Sequence, residues 1–270
     1  MSGAPSSLFD KRLGGQRLDR ALKAPRRADF LLARAAEELA DRLALPRRFF
    51  PLAADIGTPG PHGALALLDA GNVGRVVRVA PTRAALGEGA FLAAIADLER
   101  LPIREEGLDL IVSLFALHAA NDLPGALIQM RRSLKPGGLL IGALSGGETL
   151  RELRQSLLAA ESEATGGAAP RVHPTIDVRA LGALLQRAGF ALPVVDLERA
   201  VVRYDNAIAL MRDLRAMGAT NALNQRTRRP LRRETLFAAA AYYAANFSDP
   251  DGRVRATFDT LWLSGWAPER

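Results

Sequence analysis

The chain contains no cysteine. That excludes disulfides, thiolate zinc sites and cysteine nucleophiles together. Long apolar runs are missing as well: nothing approaches the roughly 20 uninterrupted apolar residues of a membrane-spanning helix. The stretch from Met1 to Lys23 has arginine and lysine but no apolar h-region, so it does not read as a secretory signal. Acidic Asp10 and Asp19 within it argue against a mitochondrial transit peptide. Together these absences lead to the expectation of a cytoplasmic protein. Histidine is scarce, and His62, His118 and His173 have no ligand-like spacing, so no metal centre is expected from them. The Gly-x-Ser-x-Gly elbow of one class of serine hydrolase is absent too.

What is present is ordinary for a folded domain. With 49% hydrophobic and 24% charged residues, 270 residues suffice for one large α/β domain, or for one domain with a small helical addition. The net charge of +7 comes almost entirely from arginine. A cluster at Arg226, Arg228, Arg229, Arg232 and Arg233 is the one local concentration. Aromatic residues do not interleave with it, so it offers no platform for stacking bases. Positive charge alone supports only non-specific association with polyanions, and no specific nucleic-acid partner is expected.

Apolar residues at Phe30, Leu31, Ala35, Leu39 and Leu43 recur at helical spacing and predict an amphipathic helix over 26–44, ended by Pro46. A strand over Phe49 to Ile56 then enters a Gly/Pro loop, and a helix starts near Ala64. Further strands are expected around Val76 to Val79, at Phe91 to Ala96 and at Leu108 to Leu114. A helix over Asp122 to Leu134, a Lys135-Pro136-Gly137-Gly138 turn and a strand over Leu139 to Leu144 follow. Ser145 to Glu148 reads as a loop that N-caps the next helix. Strands that alternate with helices and lack period-two patterning predict a parallel sheet covered on both faces. The last third predicts a helix over Val178 to Ala188, an edge strand over Val194 to Tyr204, helices over 206–217 and 232–246, and a closing strand over Val254 to Trp266. The expected division is therefore an N-terminal helical segment over 1–45, a Rossmann-like core over 46–203, a helical cap over 204–253 and a final core strand over 254–270.

Three places stand where an open parallel sheet binds nucleotide-like ligands. The first is Asp55-Ile56-Gly57-Thr58-Pro59-Gly60-Pro61-His62-Gly63, where glycines would let backbone N–H groups approach a ligand; a plain structural turn is the competing reading. The second is Asp97 with Leu98, a carboxylate for an adenine amino group beside an apolar cover; Asp97 as a turn cap is equally compatible. The third is Ser113 with His118, just after the fourth strand. His118 could serve as a general base, or could simply be satisfied by a backbone carbonyl.

Taken together, these blocks resemble the class I S-adenosylmethionine-dependent methyltransferases. The resemblance rests on Asp55-Ile56-Gly57, Asp97 through Leu101-Pro102, Leu108 to Ser113, Asn121-Asp122-Leu123-Pro124 and Leu134-Lys135-Pro136-Gly137-Gly138. Asn121 to Pro124, with Gly146-Gly147-Glu148-Thr149-Leu150-Arg151-Glu152-Leu153, Arg187 to Phe190 and Leu210 to Leu214, narrows it. The chain looks like the subgroup containing the mitochondrial complex I assembly factor with arginine-hydroxylase activity and its alphaproteobacterial relatives. The malonyl-carrier-protein methyltransferases of biotin synthesis are more distant. The resemblance implies a mostly parallel seven-stranded sheet with helices on both faces and a helical cap before the last strand. It also implies S-adenosylmethionine as cofactor, with Asp55, Gly57 and Gly60 on the methionine side, Asp97 and Leu98 at the adenine, and Ser113 and His118 towards the acceptor. A protein substrate or partner follows, such as an iron–sulfur subunit of the respiratory NADH dehydrogenase, with methyl transfer as the first activity and arginine hydroxylation after it. Departures from the family pattern are the ground for the alternative, a catalytically degenerate member that binds or chaperones a partner.

Three departures from the family pattern fall in one pocket. Pro59 and Pro61 occupy loop positions that are usually small or glycine, and each removes a backbone donor. Gly60 and Gly63 are the candidates to replace the turn glycine. The acid that ends the second strand and bonds the ribose hydroxyls is Ala80, followed by Pro81. Losing that charge-assisted pair of bonds costs about 1.5–3 kcal/mol. Ala119 stands after His118 where an aromatic is usual.

Overall fold

Phe50–Ile56 (β1) and Leu108–Leu114 (β4) are apolar at almost every position, a composition that suits strands covered on both faces. In the computed structural model, which describes residues 7–25, 27–87 and 92–269, they pair in parallel at the middle of a seven-stranded sheet. The other strands are Val73–Ala80 (β2), Leu92–Ile95 (β3), Leu134–Gly146 (β5), Ala191–Tyr204 (β6) and Val254–Trp266 (β7), in the order β3-β2-β1-β4-β5-β7-β6. β3, β2, β1, β4 and β5 are parallel neighbours. β7 runs against β5: Ala267 exchanges backbone hydrogen bonds with Gly137 and Gly138, while Leu263 and Leu261 lie beside Gly142 and Gly146. Rising numbers on one strand meet falling numbers on the other, so the two are antiparallel.

This order places a switch point between β1 and β4. From β1 the chain winds outward to β2 and β3, then returns to the other side, so the crevice beyond the ends of β1 and β4 is where such sheets take ligands. Helices Phe30–Ala44 (α2) and His62–Asp69 (α3) cover one face, through Leu32, Leu39, Leu43, Ala64 and Leu67. Helices Leu123–Ser133 (α5) and Val178–Arg187 (α7) cover the other, through Leu127, Met130, Leu181 and Leu185.

Two expectations change at β5. The Lys-Pro-Gly-Gly turn is a bulge inside a longer strand: Leu108 pairs with Leu134 and Leu110 with Leu139, so three extra residues loop out of the ladder. Gly137 takes φ +69° there, and Lys135 Nζ reaches the Asp109 carboxylate at 2.9 Å. At the far end, Ser145 and Gly146 belong to β5 and do not cap the next helix, Arg151–Thr165 (α6). Its N-cap is Leu150, left-handed at φ +56° and without a side-chain cap. The reason is that the Glu148 N–H donates to Asp259 and the Leu150 N–H to Thr257 O, which fixes this segment on β7. The expected third strand is described from Leu92; Phe91 lies outside the described residues.

Contacts divide the chain into two units with different limits from those expected. One unit holds the chain up to Ala28 with Gly147–Thr175 and Arg199–Thr260; the other holds Asp29–Gly146, Ile176–Glu198 and Leu261–Arg270. The boundary near residue 28 separates Lys11–Leu22 (α1), which the sequence had grouped with α2 in one helical segment. α2 buries its leucines on the sheet, whereas the chain entering α1 bonds Ala222 and Asn224 in the first unit. That unit also contains α6 and helices Ala207–Ala216 (α8) and Arg233–Phe247 (α9), with α6 packed on α9.

Leu110 sits fully buried on β4 at the centre of the second unit. Leu110→Ala should lower stability by about 2–5 kcal/mol, read as a lower urea midpoint with an unchanged slope.

Candidate functional site

Asp55 is the last residue but one of β1 and is fully buried. It is held in place from three directions. The Thr58 hydroxyl donates to its Oδ1, the Ala64 backbone N–H of α3 donates to the carboxylate, and the Arg78 Nε stands 3.4 Å from Oδ2. Gly63 is needed for this arrangement, because a Cβ there would meet Asp55 Oδ1 at 2.8 Å. Gly63 therefore lies inside α3 and does not replace the missing turn glycine. Thr58 Oγ1 also accepts from the Leu114 N–H at 3.1 Å, which ties the loop to the end of β4.

The loop itself turns at Gly57, φ +79°, and Gly60, φ +93°. Gly57 meets two demands at once: the positive φ, and a Cβ that would stand 2.6 Å from Ala116. Leu98 is the next neighbour of that position at 4.0 Å, so the structure brings Gly57, Leu98 and Ala116 together. Pro61 is the N-cap of α3, with its carbonyl accepting from Leu65 N–H at 2.9 Å.

Arg78 lies inside the strand expected around Val76 to Val79, with no role assigned to it from the sequence. Its side chain is fully buried. The guanidinium donates to Gly60 O at 2.6 Å, Leu86 O at 2.7 Å, Ala85 O at 3.0 Å and Thr58 O at 3.2 Å. The first turn and the short helix Arg83–Leu86 (α4), N-capped by Thr82, thus share one donor. Ala80 is the last residue of β2, as the alignment of this strand requires, and is fully buried with no polar side-chain atom.

Asp97 adopts the turn reading for its Oδ1, which accepts from the Glu99 N–H at 3.0 Å, while its carbonyl accepts from Arg100 N–H. Glu99, unremarked in the sequence, joins two of the family-like blocks. Its Oε1 accepts from Asn121 N–H at 2.6 Å and Asp122 N–H at 3.2 Å, and Asp122 in turn N-caps α5. Ser113 is fully buried near the end of β4, and its hydroxyl has no hydrogen-bond partner among the described residues. His118 is half-buried in a 3-10 turn, Leu117–Ala119. Among the described residues no three His, Asp or Glu side chains gather as a metal site, and no helix is long and apolar enough to cross a membrane.

These contacts test the cofactor that the fold implies. S-adenosylmethionine brings a ribose diol, a charged methionine end and an adenine. The diol would find the Ala80 methyl, and the loop carbonyls of Thr58 and Gly60 are taken by Arg78. The Asp55 carboxylate is enclosed and already engaged by Thr58 and Arg78. Pro59 and Pro61 have no N–H to offer. Only Asp97 and Leu98 keep the types the adenine end requires. The residues present do not fit the cofactor.

Burial pushes the Asp55 carboxyl up to about 6, against the opposing pull of Arg78, the Thr58 hydroxyl and the Ala64 N–H. Burial likewise lowers Arg78, and Asp55 opposes that shift. A raised carboxyl means the folded state keeps a proton that the unfolded chain releases above about pH 4. The stability advantage of wild type over Asp55→Asn should therefore shrink as pH rises from about 4 to 6, by on the order of 2 kcal/mol, and stay flat above that. Urea midpoints of both proteins across that window check this; parallel pH profiles would refute it.

A methyltransferase domain model matches residues 55–142. The chain is 40% identical to the mitochondrial arginine-hydroxylase NDUFAF5 of Danio rerio over 245 residues, 89% of this chain and 76% of that one. With the Homo sapiens protein of that name it shares 38% over 268 residues, 96% of this chain and 77% of that one. A malonyl-[acyl-carrier protein] O-methyltransferase of Laribacter hongkongensis is 39% identical over a shorter stretch, 64% of this chain and 56% of that one. Among solved structures, the YcgJ protein of Bacillus subtilis superposes with a TM-score of 0.60 at 14% identity, over 87% of this chain and 99% of that one. A Haemonchus contortus phosphoethanolamine N-methyltransferase solved with S-adenosyl-L-methionine gives 0.53 at 14% identity, over 87% and 53%. These last two show a shared fold, Rossmann-like and of the class I methyltransferase type. The relatives matched over nearly the whole chain decide the rest: this chain belongs to the NDUFAF5 arginine-hydroxylase family.

Proposed function

We propose that this chain is a partner-binding member of its family that works without S-adenosylmethionine. The observation that carries the reading is the set of groups around Asp55: the ribose position is the Ala80 methyl, Pro59 and Pro61 offer no N–H, and the Thr58 and Gly60 carbonyls accept from Arg78. The family likeness supports the partner-binding half, since identity runs over 96% of the chain and well outside the matched domain at 55–142. What has been kept is the whole architecture, and what has been lost is concentrated at one ligand. The partner to test first is the one the family resemblance implies, an iron–sulfur subunit of respiratory NADH dehydrogenase.

Titration calorimetry of the purified chain tests the cofactor half. At about 1 mM S-adenosylmethionine or S-adenosylhomocysteine, the range of a binding free energy near 4 kcal/mol, no saturable heat is expected. Saturation at tenfold lower ligand would sink the reading and restore methyl transfer.

Arginine hydroxylation is the second reading, favoured by the activity for which relatives 38–40% identical are named. Incubation of the chain with the purified iron–sulfur subunit separates the two when dioxygen and a two-electron reductant are present, one oxygen atom then going to the arginine and the other to water. A stable complex with unchanged subunit mass supports partner binding, and one added oxygen on an arginine supports hydroxylation.

A further inference from the structure

The loop after β1 and the turn after β2 both lie at the carboxyl ends of the parallel strands, the edge of the sheet on which the crevice beyond β1 and β4 opens. Here one side chain of the protein joins them. Arg78 donates to Thr58 O and Gly60 O on the first segment and to Ala85 O and Leu86 O on the second, with no exposed surface of its own. Gly87, at φ +71°, brings the second segment against Pro61, whose Cδ lies 3.5 Å from where a Cβ would stand.

A buried guanidinium is tolerated only when its charge is paired and its donors are satisfied. The charge is answered from within by Asp55 Oδ2 at 3.4 Å, and the four carbonyls accept from the two terminal nitrogens, while Nε and Asp55 Oδ2 make no hydrogen bond among the described residues. The planar fork matters, because a lysine ammonium could not span both segments from one stem. Position 80, two residues further on the same face of β2, carries a methyl group where the family pattern has an acid. The buried cation at 78 and the missing acid at 80 thus share one strand face.

We infer that Arg78 is a built-in substitute for the cofactor: it joins the two segments permanently, and their shape no longer depends on a small molecule. The inference rests on the cofactor-free reading above and adds the residue that enforces it. It makes Arg78 a positioning residue, one that acts on the loops and on no substrate.

Thermal melting of the full chain tests it, with and without about 1 mM S-adenosylhomocysteine, in wild type, Arg78→Lys and Arg78→Gly/Ala80→Asp. The wild type should ignore the ligand. Both variants should melt lower than wild type when ligand-free, and only the double variant should recover with ligand. A ligand at 100 times its Kd would raise that melting point by roughly 5–10 °C. A double variant that melts like wild type, or that folds and ignores the ligand while wild type also ignores it, overturns the inference alone. A ligand response in wild type overturns the cofactor-free reading beneath it. Should the double variant not fold, hydrogen exchange in Arg78→Lys decides. Faster exchange confined to residues 57–61 and 82–87 supports the inference, and unchanged protection there overturns it.

Discussion

A charge placed in a protein interior must be answered within a few ångströms, and in this chain that demand shapes the end of the central strands. Asp55 and Arg78 are both fully buried and stand 3.4 Å apart across neighbouring parallel strands. Neither could remain without the other, because an uncompensated buried ion costs several kcal/mol. The pair then dictates its surroundings. Thr58 must donate to Asp55, Gly63 must lack a Cβ beside it, and the loop carbonyls must turn towards the guanidinium. Through Thr58 Oγ1 the same network reaches the Leu114 N–H on β4. A site that in its relatives' fold class faces a ligand is here a self-contained electrostatic unit.

The alternation of strands and helices was legible because burial on two faces leaves continuous apolar runs, and β1, β4 and α7 fall within a residue or two of where the pattern put them. Ala80 was legible as a missing acid because strand β2 ends where its valines stop. The Lys-Pro-Gly-Gly stretch was readable as a break but not as a bulge, since the distinction depends on Ala267 and Arg48 bonding to its glycines. Arg78 was opaque for a stronger reason. An arginine inside an apolar strand has no local signature of burial; its partners lie at 55, 58, 60, 85 and 86, and only the folded loops bring them together. Glu99 was missed likewise, because its partners Asn121 and Asp122 lie more than twenty residues away.

The segment Gly146 to Leu153, read as a mark of the assembly-factor subgroup, has a physical account within the first unit. Asp259 is fixed by a bidentate pair with Arg199, at 2.7 and 2.8 Å, and accepts from the Glu148 N–H. Thr149 Oγ1 bonds the backbone of Asp259 on both sides, through its carbonyl and its N–H. Gly147, at φ +52°, admits the close approach, since a Cβ would lie 2.5 Å from Asp259 Oδ2. Glu152, one helical turn on, takes both the N–H and the hydroxyl of Thr257. A run that looks like a functional signature in sequence is a clamp on a strand.

The same distinction governs how the retained blocks should be weighed. Asp97 closes a turn, Glu99 and Asp122 organise the start of α5, and Gly57 accommodates Ala116; each has a structural role that persists with no ligand at all. Their presence therefore argues for the fold and is neutral about the chemistry, since a fold alone does not fix an activity. Positions that only a ligand would require are the informative ones, and the ribose acid is such a position. Its replacement by a buried methyl, on the strand face that also carries a buried arginine bonded to the loop carbonyls, is the ground on which the cofactor-free proposal stands.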